Sequence, residues 1–144
     1  MKVIQRLKDD ITQVVPDFQQ KRALGYKAFS GVENQTNACF PIVMCSTLDK
    51  DVDYSTSISV AFAKSPMVQA LEAYSLNQYC NGRFSLGIAS QIKPHIVRRF
   101  NMPWTGAPAT QMREYIRAMH AIWDSFENGG KLDFQGELYK FNLM

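Results

Sequence analysis

Cysteine is scarce and odd in number. Cys39, Cys45 and Cys80 show no Cys-x-x-Cys spacing, which excludes a disulfide framework and predicts free, partly buried thiols of a cytoplasmic protein. Histidine is nearly absent. His95 and His120 are the two present and stand far apart in sequence, which argues against a metal site. No apolar run is long enough to span a bilayer, and the Val3-Ile4 pair after Met1-Lys2 is broken at once by Gln5 and Arg6, unlike a signal peptide. Charge of neither sign gathers. The net charge is +3, and only Lys21-Arg22 and Arg98-Arg99 place two cations side by side, so neither nucleic acid nor a membrane is expected as a partner. No internal repeat and no low-complexity segment is evident.

What is present is ordinary globular composition, 46% hydrophobic and 20% charged over 144 residues. One compact domain, residues 1–144, is the expectation. Its organising stretch is Asn81 to Gln91. Asn81-Gly82 reads as a helix stop, since both residues tolerate the left-handed conformation. Phe84 to Ile88 is a short apolar run with Gly87 inside it, the pattern of a buried parallel strand that another backbone or a ligand approaches closely. Ala89, Ser90 and Gln91 follow at its carboxyl end, where α/β folds bind ligands.

The remaining elements fall into order around that strand. Val3–Leu7 is a first strand. Asp10 with Gln13 forms a capping-box pattern ahead of a helix that Pro16 kinks or restarts and Gly25 ends. Tyr26–Val32 is a second strand, followed by a polar loop, Glu33 to Asn37. Cys39–Thr47 is a short helix entered at Pro41. In Tyr54–Phe62, a third strand, Ile58, Val60 and Phe62 alternate with Ser57, Ser59 and Ala61. Ser65-Pro66 starts a helix whose buried stripe is Met67, Ala70, Leu71 and Tyr74. After the fourth strand, Ile92–Gly106 is loop. Pro108–Phe126 is a strongly amphipathic helix, with Met112, Tyr115, Ile116, Met119, Ile122, Trp123 and Phe126 on one face and Arg113, Glu114 and Arg117 on the other. Two short strands about Gln135-Gly136 make a hairpin. Strand and helix thus alternate four times before the hairpin, which calls for a parallel sheet in an α/β fold.

Four stretches together carry a family resemblance: Ser65-Pro66-Met67-Val68, Asn81 to Ile88, Met112-Arg113-Glu114-Tyr115, and Asp133 to Phe141 with its Phe-x-Gly-x-x-Tyr hairpin. In this order they resemble the luciferase-like monooxygenases, a family that includes bacterial luciferase and deazaflavin-dependent oxidoreductases. Arg98-Arg99-Phe100 and Met102-Pro103-Trp104 look most like the deazaflavin-dependent branch. The resemblance implies a (β/α)8 barrel of about 250 residues, so this chain is expected to be its N-terminal half: a parallel (β/α)4 half of a TIM-type barrel ending in a short hairpin. Strands one and four would then be open edges, which are pairing sites. A homo-oligomer formed through those edges is expected.

The resemblance also implies a reduced deazaflavin coenzyme or FMN at the carboxyl ends of the strands, and a small organic substrate. It places a non-prolyl cis peptide at Ser57-Ile58, with Ser59 beside it. From the residues alone, an ordinary trans strand is an equal reading there, since nothing local demands cis. Many relatives carry a proton-exchanging His in the second-strand loop. This chain has Glu33 and then Thr36-Asn37, and a threonine hydroxyl does not exchange a proton near neutrality as His does. Glu33 and Thr36 are therefore the catalytic candidates, with a purely structural hydrogen-bonded loop as the alternative. Asn37, Ser57, Ile58, Ser59, Ser90 and Gln91 are the cofactor-binding candidates, local turn bonding being the alternative for Ser90 and Gln91. Two function classes follow. One is a partial flavin- or deazaflavin-dependent oxidoreductase, weak or inactive as a lone half. The other is a non-enzymatic half-barrel module that dimerises through open sheet edges, with or without a bound flavin. A flavodoxin-like domain would need a phosphate loop after strand one, and Lys8-Asp9-Asp10 is unlike one.

Overall fold

In a computed structural model, residues 3–144 are described. They divide into two compact units, one of residues 3–59 and 75–88, the other of 60–74 and 89–144. The chain runs β1 (Gln5–Arg6), α1 (Val14–Ala23), β2 (Ala28–Gly31), α2 (Cys39–Ser46), β3 (Asp53–Thr56), β4 (Ser59–Val60), α3 (Pro66–Tyr79), β5 (Phe84–Ser85), β6 (Ile88–Ala89), α4 (Pro108–Asn128), β7 (Phe134–Gln135) and β8 (Lys140–Phe141).

The first unit is built on a sheet of order β1-β2-β3-β5. Every pairing in it is parallel, as the strand–helix alternation predicts. Phe29 lies opposite Gln5 on one side and Tyr54 on the other, and Tyr54 lies opposite Phe84. All four residues of β2 are buried, because a central parallel strand is covered on both faces. Phe29 and Tyr54 meet Phe18 of α1, with ring centroids 4.7 and 6.3 Å away. Burying side chains of this size stabilises by about 1.5–3 kcal/mol each. The Tyr54 hydroxyl keeps a partner by donating to the Asp49 carbonyl at 2.7 Å.

Local rules set most element ends. Gly25 and Gly82 take φ of +89° and +75°, and Asn81 takes +52°, so the expected stops close α1 and α3 in the left-handed region. Ser65 caps α3 by accepting from the Val68 N–H at 3.2 Å. Asp10 acts differently from the expected capping box. Its carboxylate takes the Thr12 N–H at 3.0 Å, while the Gln13 N–H goes to the Asp10 carbonyl. A short 3₁₀ turn, Ile11–Gln13, therefore precedes α1, and Pro16 sits in the first turn of α1.

Three sequence expectations need correction. The third strand does not run to Phe62. It stops at Thr56 and resumes as β4, followed by a 3₁₀ turn at Ala61–Ala63. Consecutive residues Ser59 to Phe62 are all buried, so the alternation counted there has no counterpart in space. The fourth strand is likewise split. Phe84–Ser85 joins the main sheet, and Ile88–Ala89 joins β4 in a separate two-stranded ladder. The stretch from 92 to 106 holds a helical turn, His95–Arg99, anchored by buried Ile96.

In the second unit, α4 runs from Pro108 to Asn128 and is closed by Gly129 at φ +66°. Tyr115, Met119 and Ile122 are buried as expected, but Ile116 is exposed and Ala118 takes its place. A small residue there lets backbones approach more closely than isoleucine allows. The same shift occurs on α3, where Leu71 is exposed and Met67 only half-buried, while Gln69, Ala70 and Ala73 are buried. The Trp123 indole N–H donates to the Ala70 carbonyl at 3.0 Å, and Phe126 meets Tyr74 edge-on at 5.1 Å. β7 and β8 pair antiparallel, the hairpin expected around Gln135-Gly136. Among the described residues no helix is long and apolar enough to cross a membrane.

Candidate functional site

The interruption between β3 and β4 is a cis peptide bond, Ser57-Ile58. Its flanking backbone is fixed from both sides. The Ser57 N–H donates to the Gly31 carbonyl at 2.7 Å, and the Ser59 N–H donates to the Gly87 carbonyl at 2.8 Å. The carboxyl ends of β2 and β3 and the residue before β6 thus meet at one step of backbone. Side chains complete the arrangement. The Thr56 hydroxyl donates to the Gly87 carbonyl at 2.8 Å and accepts the Gly87 N–H at 2.9 Å.

Glycine is required at two of these positions. A Cβ on Gly87 would strike the Thr56 carbonyl oxygen, and one on Gly31 would strike the Ala38 carbonyl oxygen. The close approach read into Gly87 from sequence is therefore an approach of backbone. Gly31 does for the β2–α2 loop what Gly87 does for β3.

Glu33 enters from the loop after β2. Its N–H donates to the Ile58 carbonyl at 3.1 Å, and its carboxylate accepts from the Ser59 hydroxyl at 2.9 Å. Ser59 is fully buried, whereas Ser57 is exposed and Ile58 half-buried. Within hydrogen-bonding contact the structure thus joins Glu33, Ser57, Ile58 and Ser59 of the predicted residues. Thr56, Gly31 and Gly87 hold them there. Of these three only Gly87 was marked by sequence; Thr56 looks like an ordinary strand residue until its register against Gly87 is known.

The other candidates stand apart from that cluster in role. Thr36 has a buried hydroxyl oxygen with no hydrogen-bond partner. Asn37 is occupied locally: its side-chain oxygen accepts the Cys39 N–H at 2.8 Å at the start of α2. That is the bonding expected of an Asx residue before a helix. Gln35, Thr36 and Asn37 also border an apolar groove of about 460 Å³ with Ile11, Phe40, Val43 and Met44. Ser90 and Gln91 belong to the second unit, both half-buried, with Gln91 at φ +60°. No three His, Cys, Asp or Glu residues gather at metal distance among the described residues.

Comparison with known proteins agrees with this architecture. A family model described as luciferase-like monooxygenase matches residues 21–143. Uncharacterized proteins of Mycobacterium bovis and Mycobacterium tuberculosis are each 39% identical over 125 residues, which is 85% of this chain and 36% of theirs. The chain therefore spans about a third of the length of the curated relatives it matches. Among solved structures, the oxygenating constituent of 3,6-diketocamphane monooxygenase from Pseudomonas putida, a type II Baeyer–Villiger monooxygenase in complex with FMN, superposes with a TM-score of 0.80. Identity is 14%, covering 99% of this chain and 44% of that one. The coenzyme F420 dependent tetrahydromethanopterin reductase from Methanopyrus kandleri gives a TM-score of 0.73 at 14% identity, with the same coverage. These likenesses show the fold, a parallel (β/α)4 half of a TIM-type barrel ending in a short hairpin. With its parallel sheet and a family-model match over residues 21–143, the chain belongs to the luciferase-like monooxygenase family.

Proposed function

We propose that residues 1–144 act as one domain, the N-terminal half of a flavin- or deazaflavin-dependent oxidoreductase whose redox ring sits at the carboxyl ends of the strands. The observation that carries this is the meeting of strand ends at which the Gly31 and Gly87 carbonyls accept the Ser57 and Ser59 N–H groups and Glu33 joins through Ile58 and Ser59. FMN in one structural relative and coenzyme F420 in another support the cofactor class. The residues present fit such a group. Ser57 is exposed at the end of β3, and the Thr36 hydroxyl has an unused hydrogen-bonding capacity that buried polar groups rarely leave unfilled. The cofactor, when bound, supplies the hydride or oxygen chemistry, and the protein orients and tunes it.

The chain's own contribution is positional. Ser59 donates to Glu33 and so fixes the orientation of this carboxylate beside the Ser57-Ile58 step, where its oxygens accept a proton. Thr36 offers a neutral hydroxyl, which does not exchange a proton near neutrality, so it serves as a hydrogen-bond group and Glu33 as the acid–base group. Asn37, Ser57, Ile58 and Ser59 are the cofactor-binding residues of the first unit, Ser90 and Gln91 those of the second, each taken by itself, and the substrate is a small organic molecule. Free, buried cysteines support a reducing, cytoplasmic setting.

The test is equilibrium binding of FMN and of a deazaflavin to the purified chain, followed by absorbance, with Glu33→Gln and Ser57→Ala compared in parallel. Binding of either cofactor that the variants weaken about tenfold supports the proposal; a colourless protein that binds neither refutes it. A second reading, a non-enzymatic module that dimerises edge to edge, is favoured by the two outer strands β1 and β5, which have a strand neighbour on one side only among the described residues. Sedimentation separates the two: a monomer at micromolar concentration rules out edge pairing.

A further inference from the structure

A groove independent of the cofactor reading lies between α4 and the hairpin in the second unit. Thr110, Arg113 and Arg117 of α4 face Phe134, Gln135 and Glu137 across a groove of about 380 Å³. Arg113 and Arg117 are four residues apart, so their side chains emerge from the same face of the helix. Both are exposed, and neither forms an ion pair or hydrogen bond among the described residues. Like charges at this spacing destabilise a helix, and the carboxylates that share the lining, Glu114 and Glu137, form no ion pair with either arginine among the described residues.

The nearest carboxylate is committed elsewhere. One Glu114 oxygen accepts both the Leu138 and the Tyr139 N–H at 2.7 Å, clamping the hairpin to α4. It touches the space a Cβ on Gly136 would fill, so glycine at 136 lets the clamp close. That clamp holds the groove's two walls together and takes Glu114 out of competition for the arginines. Glu137 is the one remaining acid on the rim.

We propose that this groove binds a small dianion, a phosphoryl group or a dicarboxylate, through the paired guanidinium groups of Arg113 and Arg117. Guanidinium forks match both oxyanions in geometry and charge. The Thr110 hydroxyl is a further donor in the lining, and the Phe134 ring offers an apolar wall to whatever the oxyanion is attached to. Glu137 sets selectivity by repelling ligands of higher charge.

Titrating the purified chain with inorganic phosphate, pyrophosphate and succinate, followed by amide shifts of Gln135 to Tyr139, tests this directly. Saturable shifts at about millimolar ligand are expected. Arg113→Gln and Arg117→Gln should each weaken binding about tenfold, since a charge-assisted hydrogen bond is lost, and Glu137→Gln should tighten it a few-fold. The tighter of the phosphoryl and dicarboxylate arms identifies the source of the anion. Both arginine variants are surface changes and should melt at or above the temperature of the parent chain, so lost binding is not lost folding. Shifts absent up to about 10 mM ligand, or shifts that survive both arginine substitutions, overturn the proposal. Neither outcome depends on whether a flavin binds.

Discussion

The hydroxyl of Thr56 bonds to both ends of one residue, Gly87, donating to its carbonyl at 2.8 Å and accepting its N–H at 2.9 Å. A side chain thus replaces a rung of the ladder at the point where β3 leaves the sheet for the cis step. Two substitutions probe it. Gly87→Ala drives a methyl into the Thr56 carbonyl and should destabilise by about 1–3 kcal/mol. Thr56→Val keeps the shape and leaves the Gly87 N–H without its partner, while the Gly87 carbonyl keeps the Ser59 N–H, at a cost of about 1–3 kcal/mol. Urea unfolding measures both, and because the residues touch, the double variant should fall short of the sum. Additive losses would mean the two do not act as one unit.

Glu114 should hold the hairpin through its two backbone bonds. Replacing it with alanine removes a charged acceptor from two N–H groups, a local loss of about 1.5–3 kcal/mol per bond at most. Hydrogen exchange at Leu138 and Tyr139 is expected to accelerate strongly, with little change at Tyr115 and Ile122 in the core of α4. Unaltered exchange at the hairpin would show that β7 and β8 hold without the clamp.

Thr36→Val should separate stability from binding. The native hydroxyl oxygen is buried and unpartnered, and valine removes that desolvated group at equal size, so thermal stability should stay level or rise by up to about 1 kcal/mol. Cofactor affinity, in the function proposed here, should fall. A destabilised variant would mean that the hydroxyl has a partner in solution.

Alkaline pH should unfold the first unit through groups buried in their neutral forms. Burial, and then the charge of Asp17, push the Cys45 thiol up to about 12. Burial likewise raises Cys80 and Tyr54. An unfolded cysteine ionises near 8.5. For a group whose folded pKa is raised, the stabilisation is fully present below the unfolded value and is lost as pH rises toward the folded one. Stability should therefore decline from roughly pH 8.5 toward pH 12, and Cys45→Ala should flatten that decline. In the native protein at pH 8, alkylation followed by mass spectrometry should leave Cys45 unmodified, because the thiolate is the nucleophile. Rapid labelling of Cys45 without unfolding would contradict its burial.

The sequence by itself determined the order and direction of the elements. Turn and cap chemistry is local: Asn81-Gly82, Ser65-Pro66 and Gly129 carry their conformations in their own covalent structure, so α3 and α4 begin and end where those residues require. Alternation of strand and helix then forces parallel pairing. Only the tertiary structure decided where β3 breaks and which face of each helix is buried. Ser57 to Phe62 has a strand-like alternation, yet Gly31 and Gly87 pull its backbone off course from distant parts of the chain, and nothing within those six residues records that pull. Leu71 and Ile116 are apolar at helical spacing, yet Ala73 and Ala118 are the residues inside, because close backbone approach rewards small side chains that hydropathy ranks lower. The site was legible in the same measure. Glu33, Ser57, Ile58 and Ser59 were identifiable as residues of one region, whereas the hydrogen bonds that join them depend on the register between strands, which exists only once the sheet has formed.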